Sequence, residues 1–262
     1  METCDHPIKL GSILFTMVEP TKGREVDYNR WYERDHLYSG VMIGPYSLAA
    51  GRFVATRDLK DLRYPNESEV TSGPSARGSY LALYWVLANH HEDWNRWAVK
   101  QVNVLHENGR MFAERDHVHT LLYTYDWAAP RDPDGVPPEL ALDHPYAGLA
   151  AVIGEAATSR EEFDGVLKNE VLPELLDGSP ISQCLSFSPL PLLIDAPGDV
   201  PRTPPSETRF LHLYFLDEHP GQSWEKTFAT LPERFGNQAT VIWASPFIPT
   251  IPGTDAYTDQ LW

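Results

Sequence analysis

The stretch "YLALYWVLANHHEDWNRW" at residues 80–97 can be laid on "FLHLYFLDEHPGQSWEKT" at 210–227 without a gap, at an offset of 130. Leu81, Leu83, Tyr84 and Trp94 fall on Leu211, Leu213, Tyr214 and Trp224, while Tyr80 and Trp85 fall on Phe210 and Phe215. Apolar strands resemble one another by chance, but a register held from a strand into the following helix signals an internal repeat.

Outward from these stretches, both halves read alike. Each begins with a strand ("SILFTMVEP" or "GLAAVIGEA") and a helix ("EVDYNRWYERDHLYSG" or "SREEFDGVLKNEVLPELL"). Two strands, a helix and a last strand follow. A βαββαβ unit makes a four-stranded antiparallel sheet with both helices on one face, which leaves the other face bare. The predicted fold is therefore α+β: two tandem ferredoxin-like units whose antiparallel sheets pack face to face as an intramolecular α+β barrel. The first unit spans 10–127, a Pro- and Asp-rich linker 128–146, the second unit 147–250 and a C-terminal tail 251–262. Long insertions at 56–79 and 191–208 occupy the same place in each unit, where each can cover a barrel mouth or remain a mobile loop. The terminal "LW" reads as an anchor.

Composition narrows the function. With 42% hydrophobic and 22% charged residues the chain is of soluble globular type, and no apolar run approaches the roughly 18 residues of a membrane span. No membrane partner is expected, and a cytoplasmic location is the default expectation, since "METCDHPIKL" lacks the form of a secretory signal. A net charge of −16 repels phosphate backbones, so nucleic acid is excluded as a partner. The two cysteines, Cys4 and Cys184, offer neither a disulfide framework nor a zinc motif. There is no GxGxxG, no phosphate loop and no nucleophile elbow.

Strand alternation puts Tyr80, Ala82, Tyr84 and Val86 on one face, expected to line the barrel, and Leu81, Leu83, Trp85 and Leu87 on the other, under the helices. By correspondence Phe210, His212 and Tyr214 join the barrel lining. Alternation also gives His117, His119, Tyr123 and Tyr125 a common face, on either side of the sheet. Such a cavity suits an apolar or aromatic small molecule.

The first helix holds "YNRWYERDHLY" at 28–38, unusually rich in polar aromatics. Aligned on the second half at an offset of 135, Trp31, Tyr32 and His36 become Val166, Leu167 and Val171. The scaffold tolerates plain hydrophobes at these places, so the polar groups point to a site in the first half only. "YNRWYERDHL" followed by "GPYSLAAGRFVA" resembles the EthD-like branch of the dimeric α+β barrel superfamily over Asp27–Ala55. That resemblance implies a helix histidine, here His36, beside the cavity, with Trp31 and Tyr32 as its neighbours and Tyr46 and Arg52 further along. It also implies cofactor-free chemistry.

The expectation that follows is a cofactor-independent lyase or isomerase, of dehydratase or cyclase type, acting on an aromatic or polyketide-like molecule. His36 acts as acid/base and Tyr32 supports an oxyanion. Trp31, Tyr46, Arg52, Tyr80, Tyr84, His117, His119, His212 and Tyr214 are the substrate-binding candidates. Two alternatives stand beside it: a cofactor-free monooxygenase of phenols or quinols, and a non-catalytic binding protein. No cofactor and no metal are expected, although His117 and His119 with His36 or His212 have the makings of a three-histidine site. The barrel is expected to be complete in a monomer with an internal pseudo-dimer, a homodimer being the alternative.

Overall fold

The computed structural model describes residues 5–191, 198 and 206–262. Alternating apolar runs form eight barrel strands: β1 (Leu10–Pro20), β2 (Ser47–Val54), β3 (Tyr80–Leu87), β4 (Arg115–Pro130), β5 (Gly148–Ala156), β6 (Ile181–Leu190), β7 (Arg209–Leu216) and β8 (Ala239–Pro249). They close in the order β1-β3-β2-β8-β5-β7-β6-β4, every neighbouring pair antiparallel. Within each half the last strand lies beside the first, followed by the third and the second. The two sheets thus meet along their edges as well as across the interior. One seam, β4–β6, pairs from Leu122–Leu190 to Pro130–Gln183. The other, β2–β8, pairs only at Val54–Ile248 and Phe53–Pro249.

Helices cover the outside. Helix α1 (Glu25–Trp31) runs straight into a π-helix, Tyr32–Met42, and α2 (His91–Glu107) packs beside it. In the second half α3 (Arg160–Val166) runs into a π-helix at Leu167–Val171. The α-to-π boundary therefore falls at matching places in the two halves, Trp31/Tyr32 and Val166/Leu167.

The expected strand faces are reversed. Leu81, Leu83 and Trp85 are fully buried in the interior cluster with Phe15, Phe187, Leu211, Leu213 and Phe215. Tyr80 and Tyr84 instead point outward, against Tyr28 and Tyr32 of the first helix. Phe210, His212 and Tyr214 likewise face the helix layer of the second half, with Phe163, Leu167 and Phe228. Alternation sorts residues into two sets without saying which is inside. Large aliphatic and aromatic groups fill the barrel, while the tyrosines go where a hydroxyl finds a partner.

The expected common face of His117 and His119 is also corrected. Met17 pairs with His119 but Val18 with His117, so Val118 is an extra residue in a β-bulge. His117 therefore turns to the helix side, where it lines a pocket. His119 turns inward, its Nε2 3.0 Å from the Tyr123 hydroxyl.

The insertion at 56–79 is folded over one end of the barrel. Arg63, 5% exposed, donates to the carbonyls of Ser75, Arg77 and Gly78 and to Ser245 Oγ, and sits over the rings of Trp243 and Phe247. Most of the insertion at 191–208, and Cys4, lie outside the described residues. The C-terminal tail returns to α1: Asn29 Nδ2 donates to the Thr254 carbonyl at 3.0 Å, and Leu261 is completely buried. Among the described residues no helix is long and apolar enough to cross a membrane.

Candidate active site

A pocket of about 110 Å³ lies between the outer face of β1, β3 and β4 and the helices of the first half. It is not inside the barrel, where the strand pattern had put it. Its walls are mostly apolar, including Leu14, Val18, Val41, Ala98 and Leu122. Tyr32, His36, Tyr84, Asn95, Arg115, His117, Thr16 and Thr120 supply its polar groups.

The π-helix shapes one wall. In an α-helix a residue five positions on lies about 140° round the axis, whereas π-type i→i+5 bonding brings it back above the first. Trp31 and His36 accordingly stack, their centroids 4.5 Å apart and planes 18° apart. Tyr32 meets His36 edge-on at 5.2 Å. Gly40 lies under the imidazole, where an added Cβ would come within 2.9 Å of the ring. Asp35 points elsewhere and pairs with Arg110.

The opposite wall is a chain of polar contacts. Arg115 Nη2 donates to His117 Nε2 at 3.2 Å; this leaves the proton on His117 Nδ1, which reaches Thr120 Oγ1 at 3.1 Å. Thr120 in turn meets Thr16 at 2.8 Å. Between the walls the hydroxyls of Tyr32 and Tyr84 share a 2.7 Å hydrogen bond.

Electrostatics follow from this enclosure. Burial, followed by the charge of Arg115 and by His117, pushes His36 down to about 3, so its imidazole is neutral at physiological pH. Burial, then Tyr84, holds the Tyr32 phenol well above its ordinary value. The site thus presents a permanent cation, the neutral imidazole of His36 and protonated phenols within a mostly apolar enclosure.

The sequence candidates are only partly brought together. Tyr32, His36, Tyr84 and His117 line this pocket, and Trp31 backs His36. Arg52 and Tyr80 lie behind Tyr32, with the guanidinium 4.6 Å from the Tyr32 ring centroid and 5.3 Å from that of Tyr80. Tyr46, at a backbone φ of 68°, stacks instead on His90 at 3.9 Å. His119 is in the barrel, and His212 and Tyr214 are in the other half. Sequence reasoning missed Arg115, Thr16 and Thr120. The available signal was Arg115 at the head of the "HVH" strand, and the bulge hid its face.

No protein-family model matches the chain, and comparison with curated proteins finds no match. Solved structures do match along nearly the whole chain. A variant of Rhodococcus jostii DypB in complex with heme is 10% identical, with 98% of this chain and 97% of that one covered and a TM-score of 0.54. A dye-decolorizing peroxidase from Bacteroides thetaiotaomicron is 12% identical, with 98% of each chain covered and a TM-score of 0.53. An anthrone oxidase-like protein is 7% identical, with 94% and 95% covered and a TM-score of 0.53. At these identities the likeness is one of fold, that of the dimeric α+β barrel, and it singles out no EthD-like branch.

These neighbours overturn the expected cofactor-independent dehydratase, isomerase or cyclase: by name one is an anthrone oxidase-like protein, one a dye-decolorizing peroxidase and one a variant in complex with heme. The chemistry of His36 agrees with the correction. An imidazole held near 3 is a weak proton acceptor, far from the matched pKa that general-base catalysis requires.

Heme does not fit this pocket. Its 110 Å³ is below the roughly 300–1,000 Å³ of ordinary small-ligand sites, and a tetrapyrrole is larger than most such ligands. His36, the imidazole on the helix wall, is already stacked on Trp31. In the second half His212 is fully buried against Phe210 at 4.4 Å and Phe163 at 6.2 Å, with no room beside it for a planar macrocycle.

Proposed function

We propose that this chain is an oxidative enzyme acting on a small, hydroxylated aromatic molecule in the pocket of its first half. The observation that carries the reading is Arg115 with His117 on one wall of a mostly apolar cavity and His36 on the other. A substrate hydroxyl beside Arg115 loses its proton to solvent more readily, because the guanidinium stabilises the negative charge left on its oxygen. An aromatic oxyanion gives up electrons more readily than the neutral molecule. Loss of two electrons and two protons turns a hydroquinone into a quinone; the same electrons and protons reduce dioxygen to hydrogen peroxide, or hydrogen peroxide to two waters.

The chain is read as two βαββαβ units, 10–127 and 147–250, joined by 128–146, with the site in the first. The matching α-to-π boundaries support that division, and Leu167 and Val171 in place of Tyr32 and His36 support a single site. The "YNRWYERDHL" helix supports an EthD-like placement within the superfamily fold.

The test is uptake of dioxygen or peroxide by the purified chain with single-ring phenols and hydroquinones. Substrate-dependent uptake that falls in Arg115→Gln supports the reading. Binding of these compounds with no consumption of either oxidant would make the pocket a binding site and overturn it.

A further inference from the structure

Helix α2 turns Asn95, Ala98, Val99 and Val102 to the pocket of the first half, at the i, i+3, i+4 and i+7 positions of one face. Three of these are the apolar residues such a stripe calls for, and the fourth is an amide. Asn95 is 6% exposed and is the fifth residue of the helix, beyond the capping positions. Asparagine is a poor residue for a helix interior, and a buried polar group without a partner costs free energy. Its presence in this stripe needs a reason other than packing.

The Asn95 carboxamide makes no hydrogen bond to any described residue. It is nevertheless not sealed in protein, as the partnerless Tyr80 hydroxyl is, and the surface it keeps opens on the pocket. The pocket's other polar groups are engaged: Tyr32 with Tyr84, Arg115 with His117, His117 with Thr120, Thr120 with Thr16, and His36 stacked on Trp31. Asn95 alone among them offers both an unused acceptor and unused donors, on a wall separate from the β4 strand that carries Arg115 and His117. The size of the pocket, about 110 Å³, limits a ligand to a single ring: a cavity of roughly 150 Å³ takes benzene, and Met111, unbranched, is the wall that yields.

We infer that Asn95 selects a ring carrying two oxygens, a dihydroxybenzene of the hydroquinone or catechol type, over a simple phenol. One hydroxyl lies beside Arg115, and the second donates to Asn95 Oδ1. When the ring gives up two electrons and two protons the second oxygen becomes a carbonyl, and Asn95 Nδ2 donates to it instead. One amide therefore serves both substrate and product, which a carboxylate, able only to accept, or an ammonium, able only to donate, does not. The inference rests on the proposed oxidative site and names its substrate class. Asn95 determines specificity and takes no part in the electron transfer.

The experiment is calorimetric titration of the full chain with phenol, hydroquinone and catechol, under nitrogen and without peroxide, so that no oxidation intervenes. At least one of the two diols binds saturably, one per chain, and at least about tenfold more tightly than phenol. Asn95→Leu, of similar shape, removes that advantage and leaves phenol within about threefold. The same variant keeps or raises the melting temperature, because the amide it deletes has no partner in the fold. Absence of saturable diol binding up to about 10 mM overturns the inference, as does phenol binding as tightly as both diols, or an advantage that survives in Asn95→Leu. A melting temperature lowered by more than about 5 °C in that variant also overturns it, since the fold would then be using the amide. The oxidative reading fails separately: diols bound with this preference but consuming no oxidant leave the role of Asn95 standing, and oxidant consumption without the preference strikes only Asn95.

Discussion

Trp31 and His36 lie face to face, 4.5 Å between centroids, although five residues separate them in the chain. Only the π-helical turn places them so, and the stacked pair closes the pocket beneath Tyr32 and Tyr84.

Because His36 stays neutral down to about 3, no activity limb near 6.5 should come from it. Its stability signature has the opposite visibility. The folded pKa is depressed, so the unfolded chain binds the proton first, and the contribution present above 6.5 is lost as pH falls toward 3. Denaturant midpoints measured across that window should fall less steeply in His36→Val, the residue type of Val171, than in the parent.

Arg115→Gln should raise the His36 pKa without restoring it to 6.5, since burial, the larger cause, remains. Titration of the imidazole by nuclear magnetic resonance reads this directly. A return to the ordinary value would make Arg115 the dominant influence.

The Tyr32–Tyr84 hydrogen bond can be dissected by a cycle of phenylalanine substitutions. Each single change leaves one buried hydroxyl unpaired, at about 1–3 kcal/mol, and the double change should cost less than the sum. Additive losses in urea unfolding would show that the hydroxyls do not depend on each other.

Arg63→Met should destabilise by about 3 kcal/mol, because it takes away the buried guanidinium that bonds the carbonyls of Ser75, Arg77 and Gly78. Thermal and denaturant unfolding both measure the loss. A change below about 1 kcal/mol would mean that the 56–79 segment holds its place without Arg63.

Hemin added to the chain should give no saturable Soret shift at one per chain, as follows from the size of the first pocket and the packing around His212. Stoichiometric binding lost in His36→Val or His212→Val would show that one of these layers opens.

Much of the fold was legible because burial on two faces writes its period into the strands: "YLALYWVL" and "RFLHLYFL" announce themselves as β3 and β7. Which face turns inward was not, since both sets on β3 are apolar and the choice depends on where Tyr80 and Tyr84 find company across space. The bulge at Val118 adds one residue without changing composition, so the opposite fates of His117 and His119 left no trace in the pattern. The first helix was singled out correctly as unusual, but its π-helical winding depends on backbone bonding rather than on residue type. His36 was read as an acid/base group; the three-dimensional enclosure that suppresses its basicity is set by α2 and Arg115, remote in sequence.

The unequal seams give this cylinder a mechanical polarity. Closed over a long ladder at β4–β6 and over Val54–Ile248 and Phe53–Pro249 alone at β2–β8, it resembles a book whose spine is sewn and whose cover is held by a clasp. Strain or heat should part the clasp first, so amide protons of β2 near Phe53 should exchange with solvent well before those of β4 near Tyr123. The chain can then open its cylinder while each half keeps its own four strands together.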